Sequence, residues 1–373
     1  SVKPTLAVPM SSKLSLKTGS RMDKDLLVKT VKGGGELPMI CEVDLSGNNY
    51  QAADLSGGSF NKVNFSHADL SDANLKECSF IDCDFTSAIL DRADFTLASF
   101  INPVFNQAHI HNAEFSYTSI IDGLFVAADL TGCAMRNTSF INTDMQDACF
   151  ASIKAENTNF LDANLENADF SHSEQYRSNF LDPLLRGIKL NDAVLDIAFF
   201  MNPDFSGYDF SDVTLKMCQF KSANLSQANF SGLDITQCGF MDADLNGADF
   251  SNSIANNCLF INAKLASVKF NNAELKQALF NDADVSFCDF SNSKMEQSQL
   301  TNANCEGALF TKSDLTYVDF SHARLDNSLV DNVTLYRANL HEIKQENTIW
   351  QGSDKASALP TDEKKKQAEQ FAP

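Results

Sequence analysis

The chain is short of positive charge, of tryptophan and of proline, and it has no long apolar run. Its 373 residues carry 49 Asp and Glu against 29 Lys and Arg, for a net charge of −20. That excess repels phosphate backbones and anionic lipid surfaces, which argues against direct binding to nucleic acid or a membrane. No stretch approaches the roughly 18 apolar residues of a membrane span. No apolar core follows a basic start, so no secretory signal is read, and a cytoplasmic location is expected. Ten cysteines are present, but never as Cys-x-x-Cys, the spacing of a metal knuckle. Gly33-Gly34-Gly35 lacks the Lys-Ser/Thr that completes a phosphate loop. The six histidines fall outside any Ser/His/Asp arrangement; His109 and His111 near Glu114 are the one cluster, read as solvated surface. These absences point to a non-enzyme with no cofactor, metal or small-molecule substrate.

What the chain does contain is a period of five. From Leu45 to Trp350 a large apolar residue falls on nearly every number divisible by five. Of these 62 positions, 27 are Phe and 20 are Leu; the departures include Ala155, Gln175, Ala255, Cys305 and Gln345. Two residues earlier sits something small, Ala at 26 positions, as in Ala68-Asp69-Leu70-Ser71-Asp72. Neither an α-helix nor a strand has a strict period of five. A unit this short closes no core alone and must stack on copies of itself. A second period of twenty lies inside the first: Phe60, Phe80, Phe100, Ile120, Phe140 and Phe160 open a column that is Phe at twelve of its fifteen positions. Four pentads per turn make a square coil, and identical rings then stack from coil to coil.

The pattern resembles the pentapeptide repeat family, on 62 in-phase pentads covering Cys41 to Trp350, about five-sixths of the chain. The resemblance implies an all-β fold, a right-handed four-sided parallel β-helix. The large residue (Phe80) and the small one (Cys78) would point inward, and the other three residues of each pentad outward. With coils about 4.8 Å apart, residues 41–350 would make about 15 coils. Residues 1–40 form an N-terminal extension and candidate cap, residues 41–350 the β-helix, and residues 351–373 a C-terminal tail. Asp23 to Val31 reads as a short helix or a strand. In the tail, Thr361 to Phe371 reads as a helical turn or two N-capped by Thr361, with acids first and lysines after, or as a mobile segment; with almost no apolar face, the tail is expected to be flexible like the N-terminal extension. Seven cysteines (78, 83, 133, 218, 238, 258 and 288) take the small slot, as core thiols.

The informative departures are apolar residues in outward slots. Just after one Phe-rich side come Ile81, Ile101, Ile121, Ile141, Leu161, Leu181, Met201, Lys221, Met241 and Ile261, nine of ten apolar. The next residue is Asp or Asn in nine cases, including Asp82, Asp122, Asp162 and Asp182. Two readings stand. The stripe is a binding edge with a polar rim, or the corner tucks its apolar residue against its neighbours. A shorter stripe, Leu309, Leu329 and Ile349, would bind the tail, a second copy or nothing. The primary functional reading is therefore a protein-interaction scaffold, binding a protein partner or a second copy along this edge. A second reading comes from the resemblance. Acidic members of the family mimic duplex DNA and act on a type II topoisomerase, DNA gyrase. Members of that kind carry interrupting loops and a hydrophobic C-terminal dimer helix, and this chain has neither. A third reading, a bacterial effector secreted into host cells, rests on the Ser-rich N-terminus.

Overall fold

The computed structural model describes residues 22–33 and 39–371. The chain divides into two compact units, Ser1–Phe170 with Gly187–Lys189 and Ser171–Arg186 with Leu190–Pro373. Each is a parallel β-solenoid with little helix. In the first unit, Ser59–Asn61 pairs with Ser79–Ile81, and the ladder continues through Ser99–Ile101, Ser119–Ile121, Ser139–Ile141 and Asn159–Leu161, each partner twenty residues on. Bridges with the same offset mark the other three sides, as between Asp44 and Asn64, Asn49 and Asp69, and Asp54 and Asn74. The second unit repeats the register from Asn179–Leu181 to Phe199–Met201 to Gln219–Lys221.

The inward slots are filled as their chemistry requires. Phe60, Phe65, Leu70 and the small-slot Ala53 and Ala68 are fully buried. Phe60 stacks on Phe80 at 5.0 Å between centroids and Phe80 on Phe100 at 4.8 Å, while Phe60 meets Phe65 edge-on at 5.5 Å. Column stacking along the coils and edge contacts across them satisfy both preferred aromatic geometries. Gln175 is the costly departure: it is buried, and neither amide atom has a partner. The ten cysteines are all free thiols, most of them buried. Burial pushes the Cys78 thiol up to about 12 and the Cys83 thiol up to about 11, which keeps both protonated and inert.

Corners come in two kinds. In the first, the small-slot amide bonds back across a turn, as Ala73 N–H does to the Leu70 carbonyl at 3.1 Å. Asp72, third in that turn, has φ of 59°, the positive value that type II turns require there. The preceding Asp69 accepts from the Ser71 amide at 3.0 Å and its hydroxyl at 2.6 Å, closing the corner from outside. In the second kind the chain runs on as a three-residue strand, as in Ser79–Ile81. Pro103, Pro183 and Pro203 sit after strands of this second kind, where a missing amide hydrogen removes no turn bond.

Both termini carry a short helix. The segment read as a short helix or a strand is a helix, α1 (Lys24–Lys32), with Asp23 capping the Leu26 amide at 2.9 Å. Met22, Leu27 and Val31 are buried, and the Tyr50 hydroxyl donates to the Met22 carbonyl at 2.8 Å. This apolar lid covers the first coil, as an open solenoid end requires. Gly34 to Pro38, and with them two residues of the glycine triplet, lie outside the described residues.

The C-terminal tail is not the flexible extension expected. The coil register continues past Trp350, with Asn339 bridged to Leu359. A second helix, α2 (Glu363–Gln370), follows and is capped by Asp362. It buries no residue of its own. Polar contacts hold it instead: Lys366 pairs with Glu342 at 3.0 Å, and Glu369 with His341 at 3.1 Å. The low apolar content of the tail leaves no hydrophobic docking face, and ionic docking leaves little trace in hydropathy.

Candidate functional site

The apolar stripe can be described unit by unit. In the first unit Ile81, Ile101, Ile121, Ile141 and Leu161 face outward, each directly in register with the next. They are half-buried to exposed, with Ile101 at 43 %. In the second unit Leu181, Met201 and Lys221 occupy strand positions. Met241 and Ile261 lie instead at turn corners, so the backbone beneath the stripe changes there.

The Asp/Asn row beside the stripe has a backbone cause. Asp82, Asn102, Asp122, Asn142, Asp162 and Asp182 all have φ between 50° and 55°. Asn and Asp tolerate that left-handed conformation best after glycine. The row is also a ladder in which amides answer carboxylates. Asn102 donates to Asp82 at 2.9 Å, Asn142 to Asp122 at 2.6 Å and Asn202 to Asp182 at 2.7 Å. From Asp82 to Asp162 amides alternate with carboxylates, which keeps like charges from stacking directly; the alternation breaks where Asp182 follows Asp162. A polar rim is thus explained without a partner; the apolar stripe is not.

A second set of strands isolates the reason. Ala134–Arg136 and Lys154–Glu156 in the first unit, and Glu174–Tyr176, Val194–Asp196 and Thr214–Lys216 in the second, share the backbone form of the stripe. Their corresponding outward residues are Arg136, Glu156, Tyr176, Asp196 and Lys216. Arg136 and Glu156 pair across one coil at 3.3 Å. A strand slot at a corner therefore accepts charge readily, and local conformation does not demand Ile or Leu.

The shorter stripe is assembled as well. Leu309, Leu329 and Ile349 are bridged in sequence, and Ile349 is 52 % exposed. The tail does not cover it, since α2 contacts His322, His341 and Glu342 instead.

Two histidine clusters emerge. His111 lies between Asp91, at 3.2 Å from Nδ1, and Asp129, at 2.8 Å from Nε2. The Asp129 hydrogen bond raises its pKa above the ordinary value. Glu114, its neighbour in sequence, caps the Ser116 amide instead. The other cluster was not anticipated. His341 occupies an outward slot yet is 1 % exposed, because α2 lies over it. His322, His341 and Glu369 bring one ligand atom each within 4.8 Å of one another. The two histidines are nineteen residues apart on a twenty-residue coil, a signal present in the sequence. Glu369 gave none, because its position depends on where the tail folds back. Among the described residues no helix is long and apolar enough to cross a membrane.

Comparison with known proteins places these features in context. The family description Pentapeptide repeats (8 copies) matches residues 42–86, 78–116, 125–152 and 204–240. A second, Pentapeptide repeat region, matches 233–308 and 253–329. Together they span more than half of the chain. No curated protein matches it. Among solved structures, HetL, a pentapeptide repeat protein involved in heterocyst differentiation regulation in the cyanobacterium Nostoc sp. strain PCC 7120, is 19 % identical. That match covers 63 % of this chain and 90 % of HetL, with a TM-score of 0.25. QnrB1, a plasmid-mediated fluoroquinolone resistance protein, is 19 % identical over 53 % of this chain and 91 % of its own, with a TM-score of 0.28. A pentapeptide repeat protein of the Arabidopsis thaliana thylakoid lumen is 34 % identical over 25 % of this chain and 68 % of its own, with a TM-score of 0.22.

Proposed function

Because the chain belongs to the pentapeptide repeat family, we propose that it is a non-catalytic protein-interaction scaffold that docks a protein partner along its apolar stripe. One observation carries this reading. Equivalent strand slots hold Ile81, Ile101, Ile121, Ile141 and Leu161 on one side of the first unit, and Arg136 and Glu156 on another. Full burial of one Ile or Leu side chain is worth about 1.5–3 kcal/mol. Covering the half-exposed remainder of five such residues would anchor a complex.

The test is the double variant Ile121→Asp with Ile141→Asp, compared with wild type by sedimentation velocity and affinity capture. The expected result is loss of self-association or of the captured partner, with circular dichroism and melting near wild type. A variant that unfolds or melts far lower would show that the stripe is corner packing and end the docking reading.

The acidic surface favours a second reading, mimicry of duplex DNA against a type II topoisomerase. Residues 41–350 carry 42 acidic and 18 basic side chains. A supercoiling assay at micromolar protein decides it, because binding to a basic DNA track must inhibit or protect the enzyme and must weaken steeply with salt.

A further inference from the structure

We propose that His322, His341 and Glu369 form a binding site for a divalent cation of the zinc class, which staples α2 to the coils beneath it. The donor set is two imidazoles and a carboxylate, borderline ligands that suit zinc, cobalt or nickel better than the oxygen-seeking calcium and magnesium. All three residues belong to the second unit.

The geometry is nearly assembled. His322 lies at the positive-φ corner of one coil, and its amide donates to the His341 carbonyl on the next at 2.9 Å. The two rings stand perpendicular with centroids 5.2 Å apart. Glu369 Oε2 is 3.1 Å from His341 Nε2 and 3.4 Å from His322 Nε2. Four-coordinate zinc, with bonds of about 2.0–2.1 Å to nitrogen and 2.0–2.2 Å to oxygen, separates its ligand atoms by about 3.3–3.5 Å. Two of the three edges therefore already have the required length or fall just short. The third lies within 4.8 Å and closes with a small ring rotation. His322 and Glu369 are each 37 % exposed, which gives a cation an entry path and water its fourth position.

One contact must change. His341 Nδ1 accepts the Asp362 amide hydrogen at 3.1 Å, so the ring proton sits on Nε2, facing Glu369. A cation at Nε2 takes that place. The ring stays neutral, its single proton moves through solvent to Nδ1, and the Asp362 contact opens. Asp362 caps α2, so binding is coupled to the first turn of the helix. A single backbone hydrogen bond is small against the coordination gained.

The experiment uses the full chain, stripped with a chelator and titrated with Co²⁺. The expected result is one Co²⁺ per chain with the visible absorption of a four-coordinate site, displaced by Zn²⁺. The ¹⁵N shifts of His341 should report the change of tautomer. His322→Ala and Glu369→Gln should each weaken binding more than about tenfold, while His109→Ala leaves it unchanged. Both residues are partly exposed, so circular dichroism should show folded variants. Absence of stoichiometric binding overturns the proposal. So does binding that survives in both variants, which would mark an adventitious ion only.

Discussion

The two helices are anchored by opposite chemistry. One precedes the regular coils and the other follows them. The first, α1, buries Leu27 and Val31 and is pinned by Tyr50 through Met22. The second, α2, buries nothing and is held by Glu369, Lys366 and the Asp362 amide. An apolar lid is anchored by area removed from water, which salt and pH leave largely untouched. An ionic lid depends on protonation and is screened by salt. The first should therefore be part of the cooperative fold, and the second a cap that opens without unfolding the coils.

The largest expected effect attacks the apolar lid. Leu27→Ala should cost about 2–5 kcal/mol, the range for truncating a buried leucine, read from the urea midpoint of the first unfolding transition. A loss below about 1 kcal/mol would make α1 as dispensable as α2 and erase the contrast.

Tyr50→Phe should cost less, about 1–3 kcal/mol, because it strands the buried Met22 carbonyl without a donor. The same denaturation series measures it, and the loss should be insensitive to salt.

The smallest effect on global stability, and the clearest on local order, concerns α2. Hydrogen bonds from His341 and then His322 hold the Glu369 carboxyl below its ordinary value of 4.5. A carboxyl depressed on folding stabilises the docked state above its unfolded pKa, and that contribution is lost as pH falls through the lower, docked value. In metal-free protein, α2 amides should therefore be protected near neutral pH and exchange freely once the pH falls well below 4.5. Glu369→Gln should exchange freely already at neutral pH. The melting of the coils should scarcely move in either case. Protection of α2 that persists through acid would mean that something other than these pairs holds it.

Much of the fold could be read without coordinates. The inward slots, the four-sided register and the free thiols follow from periods of five and twenty, because a stacked coil allows one large and one small residue per side. The choice of corner was harder. Asp69 and Ser71 announce a turn by supplying its outside hydrogen bonds, and Ser79 and Ile81 do not. Yet Asn159 begins a strand, so residue type only biases the corner. The apolar stripe was visible as a departure from the repeat. Its contrast with Arg136 and Glu156, on the same three-residue strand form, is visible only in the folded chain. The histidine–carboxylate cluster was half legible: His322 and His341 share a corner by arithmetic, and Glu369 does not.

The sequence by itself therefore determined the repeating unit, since each pentad must satisfy the same local packing and every coil contacts its like. It also biased the corners toward Asp and Asn, which tolerate a left-handed backbone best after glycine, although Leu97, Ile197 and Phe287 adopt it as well. The tertiary structure alone decided where the ends close. Lids are made once, not repeated, and a helix docked by three or four polar contacts has no period to betray it. That is why the docking of α2, and the burial of His341 beneath it, appear only when the chain is folded.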